Sequence, residues 1–129
     1  MKKKVIAVVL AYNAEKSLEN FYKTFPLDLV DDVIVFDDAS TDKTRDVAKQ
    51  LGLRVCSNKF NLGYGGNLKR ALSTCLEEGA DIIVDLHADG EYLAGAVPLG
   101  IAAMEAGADL VLGDRFDSKR GALQGGMFI

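Results

Sequence analysis

Short apolar runs separated by stretches of helical periodicity dominate this chain, and they leave few folds open to it. Residues 5–10 read Val-Ile-Ala-Val-Val-Leu, residues 33–36 Val-Ile-Val-Phe and residues 82–84 Ile-Ile-Val. Continuous runs of this length suit strands buried on both faces, which belong to parallel sheets covered by helices. Residues 53–56 and 109–113 supply two more strand candidates. Between the runs, residues 17–25 put Leu18, Phe21, Tyr22 and Phe25 on one helical face, and Pro26 stops that helix. Further helices are predicted over about 41–50, 67–78 and 94–106, closed by Gly52, Gly79 and Gly107. Ser40 or Thr41 is expected to cap the second helix, with Asp42 in its first turn, where the helix dipole favours negative charge. Residues 114–129, rich in Gly and charge, are expected to be irregular.

Strands alternating with helices at this spacing mean βαβ units, hence an α/β fold with a mostly parallel central sheet. Right-handed crossovers then place the carboxyl ends of the parallel strands on one edge, where open α/β sheets bind ligands. Five polar segments are expected to meet there: Tyr12-Asn13, Asp37-Asp38, the 57–66 loop, residues 87–91, and Asp114-Arg115.

Composition narrows the function. A chain of 129 residues is one domain with room for a real core. The net charge is −4 and the only basic block is Lys2-Lys3-Lys4, which argues against a nucleic-acid partner. No segment is long enough to span a bilayer, and no signal-peptide pattern follows the lysines, so a cytoplasmic location is expected. Cys56 and Cys75 form neither a disulfide framework nor a zinc pattern and read as small buried hydrophobes.

The stretch from 81 to 92, Asp-Ile-Ile-Val-Asp-Leu-His-Ala-Asp-Gly-Glu-Tyr, turns from apolar to acidic where a central strand would end. Asp89 and Glu91 could offer oxygen ligands to a hard divalent cation, which keeps other positions for substrate phosphates. A strand followed by a polar turn at Gly90 explains the same residues equally well. Asp38, after the second strand, is placed to accept hydrogen bonds from a ribose hydroxyl or a base N–H. The segment 61–66, Asn-Leu-Gly-Tyr-Gly-Gly, opens a helix and could meet an anion through backbone N–H groups, yet it matches no phosphate-loop spacing. At least one of its glycines is expected to serve a close-packed turn. Lys69 and Arg70 in the following helix are expected to face solvent. Arg115 could neutralise a phosphate or pair with Asp114 or Asp117. Tyr12 could stack on a base or pack beside Asn13.

Taken in order, these segments resemble the family-two glycosyltransferases of the GT-A fold, in particular dolichyl-phosphate mannose synthase-like enzymes. Ala11-Tyr12-Asn13 with Glu15 is similar to A-Y-N-E-E, and residues 36–44 to V-D-D-G-S-x-D-x-T. Residues 61–66 are similar to N-x-G-x-G, 87–92 to the metal-binding D-A-D-G-Q-Y, 112–116 to G-S-R-F, and 125–127 to G-G-M. Each motif alone is weak; the ordered set covers the whole chain. The resemblance implies a GT-A (Rossmann-like) three-layer fold and a nucleoside-diphosphate-sugar donor. It places Leu10, Tyr12, Phe36, Asp38, His87 and Ala88 around the nucleotide. It makes Asp89 the chief ligand of Mg²⁺ or Mn²⁺ with Glu91 beside it, and gives Asp89 and Arg115 catalytic parts on the diphosphate or sugar. Transfer would invert the anomeric centre, with polyprenyl phosphate or a glycan as acceptor. Full-length relatives of this kind associate with a membrane face.

Three positions depart from the pattern: His87 stands where the family has Asp, Glu91 replaces Gln, and Ala14 replaces Glu. An imidazole is a poorer partner for Mg²⁺ or Mn²⁺. Asp85 could compensate, since alternation points it to the same face as His87. Family members continue beyond G-G-M into an acceptor-binding lobe, so the chain reads as the donor half of a truncated protein, with the general base expected outside it. An unfinished sheet edge or apolar face leaves room for a homo-oligomer. The competing readings are a sugar-nucleotide nucleotidyltransferase, a non-catalytic nucleotide-binding module and a nicotinamide-binding domain. The first and last need a Gly-rich loop straight after the first strand, and Ala11-Tyr12-Asn13 supplies none; the second gives residues 87–92 no task.

Overall fold

A computed structural model describes residues 2–88, 96–112 and 127–129. Strand β1 (Val5–Ala11) lies inside the sheet, and all of its residues are buried. It pairs in parallel with β2 (Asp32–Asp37) on one side and with β4 (Ile82–His87) on the other; β3 (Arg54–Ser57) continues in parallel beyond β2. β5 (Val111–Leu112) and β6 (Met127–Phe128) complete the order β3-β2-β1-β4-β6-β5, with β6 antiparallel to both neighbours. The four-stranded parallel centre is the one the apolar runs predict.

The end of the chain corrects the expectation of an irregular tail. Residues 127 and 128 are a strand, and Ile83 and Ile129 exchange backbone N–H···O bonds of 2.7 and 2.9 Å beside it. Two residues are too few to show a period, so their pairing comes from the neighbouring strands and leaves no local trace.

Alternation along the strands divides the core in two. Val5, Ala7, Val9, Val35, Val84 and Leu86 face the side covered by α1 (Leu18–Thr24), α2 (Thr44–Gln50) and α4 (Ala96–Glu105). On α1, Leu18 and Phe21 are buried, and Phe25 just beyond it stacks on Phe21 at 5.3 Å; Tyr22, expected on the same face, is only half-buried. On α4, Val97, Ile101 and Met104 recur at helical spacing and enter this core. Ile6, Val8, Leu10, Ile34, Phe36 and Ile83 face the other side, against Ala71 and Cys75 of α3 (Gly63–Glu77). Burial pushes the Cys75 thiol up to about 11, as suits a small core residue.

Two helix starts differ from expectation. α2 begins at Thr44, because Ser40 and Thr41 are committed elsewhere, as described below. α3 begins at Gly63 rather than near 67. First-turn N–H groups lack helical partners in any case, so poor helix formers are tolerated there. Gly63 enters the helix with φ of 76°, and a Cβ on Gly66 would stand 2.9 Å from Leu62 Cβ, which is the close packing expected of one glycine in this segment.

The order matters for function. The chain builds outward from β1 to β2 and β3, then crosses back to place β4 on the other side of β1. Loops after β1 and β4 therefore diverge, and a crevice opens between them at the carboxyl edge. Among the described residues no helix is long and apolar enough to cross a membrane.

Candidate functional site

At that edge the loops after β1 and β2 are stitched together. The strands end in register, Ala11 opposite Asp37. Asn13 and Ala39 both take left-handed backbone conformations, with φ of 50° and 61°. Asn accepts this readily and Ala does not, so Ala39 carries local strain. The turn lets the Asp38 N–H reach the Ala11 carbonyl at 2.9 Å. The Asn13 N–H donates to Ser40 Oγ at 2.9 Å, and Asn13 Oδ1 accepts from the Thr41 N–H at 2.9 Å. Next along, the Ala14 N–H donates to Thr44 Oγ1 at 2.8 Å. Ser40 and Thr41, predicted as caps of α2, thus fasten the neighbouring loop instead. Propensity cannot separate these uses, since a capping residue and a loop-bridging residue offer the same oxygen.

Above the stitched loops lies a cavity of about 340 Å³ lined by residues of all four segments expected there from the described part of the chain. Leu10, Tyr12 and Ala14 come from β1 and its loop, Asp38 from the loop after β2, Asn61 from the approach to α3, Tyr64 from its first turn, and His87 and Ala88 from the end of β4. Of the residues expected around a nucleotide, Leu10, Tyr12, Asp38, His87 and Ala88 are therefore brought together. Phe36 is not among them: it shares a side of the sheet with Leu10, but its side chain is fully buried under α3. Asp89, Glu91 and Arg115 lie outside the described residues. Among the described residues no three His, Cys, Asp or Glu side chains group as a metal cage.

Asp38 sits at the base of a polar network that the sequence did not reveal. It is 4% exposed. Its Oδ1 accepts from Asn58 Nδ2 at 2.9 Å and from the Leu62 N–H at 2.7 Å. Its carbonyl accepts from Asn61 Nδ2 at 3.2 Å, so the 57–66 loop is folded down onto it. Asn58 Nδ2 also donates to Asn67 Oδ1 at 3.1 Å, and Asn67 Nδ2 donates to the Phe36 carbonyl at 2.9 Å. Arg70 donates to Asn58 Oδ1 and is half-buried, which corrects the expectation that it only faces solvent. The one available signal was three asparagines, at 58, 61 and 67, following a predicted strand end at 56.

Beside the cavity, Tyr64 leans on His87, their ring centroids 5.2 Å apart and tilted by 42°. Asp85 shares their side of the sheet, as alternation predicts. It lies within β4, is 2% exposed, and its Oδ1 has no hydrogen-bond partner among the described residues. Burial pushes its carboxyl up to about 6, with His87 pulling weakly the other way. A carboxyl whose pKa is higher folded than unfolded holds its proton better in the native state. It supports the fold fully below about pH 4, and that support is lost as pH rises through about 6. Asp85→Asn keeps the shape and removes the charge. It is expected to stabilise the protein at pH 7.5 by about 2–3 kcal/mol, and by little at pH 4. Urea melts of both proteins at the two pH values measure this; equal differences at both would show that Asp85 does not ionise at a cost.

Residues 6–126 match the sequence profile of glycosyl transferase family 2. The chain belongs to glycosyl transferase family 2. Among curated family relatives, it is 30% identical to a UDP-N-acetylglucosamine–dolichyl-phosphate N-acetylglucosaminyltransferase of Methanococcus voltae, over 70% of this chain and 43% of that protein. It is 31% identical to an undecaprenyl-phosphate mannosyltransferase of Micrococcus luteus, over 87% of this chain and 48% of that protein. Among solved structures it is similar to glucosyl-3-phosphoglycerate synthase of Mycobacterium tuberculosis in complex with Mn²⁺, uridine diphosphate and glucosyl-3-phosphoglycerate. The TM-score is 0.73 at 29% identity, covering 85% of this chain and 43% of that one. The GT-A character expected of the sheet is thereby established. This family-2 chain spans about half the length of the curated relatives it matches.

Proposed function

We propose that the cavity between the loops after β1, β2 and β4 receives the nucleoside diphosphate of a sugar donor. The sugar is passed, with inversion, to a phosphate-bearing acceptor of the polyprenyl phosphate class. The observation that carries this reading is the gathering of Leu10, Tyr12, Asp38, His87 and Ala88 around one cavity at the switch point of the sheet. Tyr12, about half exposed at the rim, offers a face for a base to stack on. Asp38 spends Oδ1 on the protein, and Oδ2 has no hydrogen bond among the described residues, so one acceptor is left for a base N–H or a ribose hydroxyl.

A divalent cation fits the chemistry of the donor set. Asp89 and Glu91 supply the hard oxygen ligands that Mg²⁺ and Mn²⁺ prefer, with the softer His87 imidazole beside them. Such an ion, when bound, stabilises the negative charge that grows on a departing nucleoside diphosphate. In this reading Asp89 and Glu91 hold the ion, Arg115 neutralises diphosphate charge, and the pocket residues orient the nucleotide. The metal and uridine diphosphate in the synthase complexes, and the polyprenyl-phosphate acceptors in the relatives' names, support the assignment of classes.

The test is calorimetry with uridine and guanosine diphosphates, with and without Mn²⁺, on the chain and on Asp38→Ala. Binding of one nucleotide in the micromolar range is expected. The variant is expected to lose roughly 1–3 kcal/mol, the worth of a buried hydrogen bond to a charged group. Equal affinity in the two proteins would place Asp38 outside the site; no binding of either nucleotide would remove the donor reading.

A further inference from the structure

We infer that Arg70, on the far side of the network from the cavity, is a positioning residue that sets how Asp38 presents its carboxylate to the donor. The inference rests on the proposed donor site. Its ground is the direction of the hydrogen bonds. Asn58 stands between Arg70 and Asp38 and is 8% exposed. Arg70 can only donate, so it demands the oxygen of the Asn58 amide. That choice turns Nδ2 the other way, and its two hydrogens go to Asp38 Oδ1 at 2.9 Å and Asn67 Oδ1 at 3.1 Å. Asn67 then has only donors left, and it gives one to the Phe36 carbonyl at 2.9 Å. The chain of donors runs one way, from Arg70 through Asn58 to Asp38.

Reversing the amide breaks it. With Oδ1 of Asn58 turned toward Asp38, two oxygens would face each other in a buried space, a costly arrangement. Without Arg70 the orientation rests on the Asp38 and Asn67 oxygens alone, and the buried Asn58 Oδ1 loses its charged donor. The Asn58 amide is then held less firmly, and with it the second donor to Asp38 Oδ1, whose first is the Leu62 N–H. The carboxylate is left with a looser hold on its orientation. Among the described residues Arg70 has no carboxylate within ion-pair distance, so its charge is not otherwise engaged. Sequence spacing hid this role, because Arg70 follows Asn58 by twelve residues and reaches it from the second turn of α3.

Arg70→Gln and Arg70→Lys separate positioning from mere structural support. Gln can present its own amide either way and no longer dictates the Asn58 orientation; Lys still can only donate. Nucleoside diphosphate affinity is expected to fall about tenfold in Arg70→Gln and to recover most of that in Arg70→Lys. In the Asp38→Ala background, Arg70→Gln is expected to add less than a twofold further loss, since the two act through one group. A full tenfold added loss there would overturn the inference. In the free protein, the Asn58 side-chain amide protons are expected to shift and to exchange faster in Arg70→Gln, with the Arg70→Lys spectrum close to the parent. This readout needs no nucleotide. If the parent chain binds no nucleoside diphosphate while the amide responds, the donor reading fails and the orienting role of Arg70 stands. An unchanged Asn58 amide in Arg70→Gln overturns the inference whatever the nucleotide does.

Discussion

Replacing Asp89 by alanine is expected to abolish the manganese-dependent part of nucleoside diphosphate binding and to leave the thermal transition of the protein unchanged. The expectation follows from where the residue falls. β4 ends at His87, and His87 and Ala88 line the cavity, so position 89 follows directly on the wall. A diphosphate brings two or more negative charges into a site whose described lining holds the Asp38 carboxylate and no Lys or Arg. Without a cation that juxtaposition is repulsive. Asp89 is the first carboxylate past the strand, and its oxygens suit the ion that would offset the charge. Calorimetry of uridine diphosphate with and without Mn²⁺ reads the effect: the parent is expected to gain at least tenfold from the metal and Asp89→Ala nothing. A variant with the parent's metal dependence would move the cation to other ligands. Because the stability of the sheet rests on the two core layers, a lowered transition temperature in this variant would point to a structural role instead.

Phe36→Ala is expected to remove about 3–5 kcal/mol of folding stability, the usual loss on truncating a fully buried Phe to Ala. Family resemblance places Phe36 at the nucleotide; the fold places its ring, 0% exposed, in the layer under α3 with Ile34, Val8 and Ala71. The two roles give different results. A core residue is lost from the urea midpoint, with the slope unchanged. A pocket wall would be lost mainly from nucleotide affinity, with the midpoint nearly kept. The Asn67 bond to residue 36 uses the backbone carbonyl, so it survives the substitution and the polar network is not the cause of the change.

Much of this architecture was legible because parallel strands carry their own signature. The runs at 5–10, 33–36 and 82–84 need no partner to be recognised, and right-handed crossovers then send the carboxyl ends of the parallel strands to one edge. Tyr12, Asp38, His87 and Ala88 follow from that edge, and Leu10 from the family resemblance. What escaped was set by partners far along the chain. Ser40 and Thr41 look like caps until Asn13 is brought beside them by the β1–β2 pairing. Met127 and Phe128 form a strand only because β4 and β5 lie on either side. Phe36 stands apart for a different reason: its ring lies on the same side of the sheet as Leu10 and His87, yet it packs under α3 with Ala71 instead of lining the cavity.

The gathering of separate loops into one donor site is tested most directly by amide chemical shifts. The backbone spectrum of the chain is recorded while uridine or guanosine diphosphate is added with Mg²⁺. Shifts are expected to concentrate at Tyr12, Asp38, Tyr64 and His87, residues from four segments that meet only in the fold, and to spare the opposite edge at Asp32 and Gly52. Shifts confined to one of those segments, or centred on the opposite edge, would contradict the site.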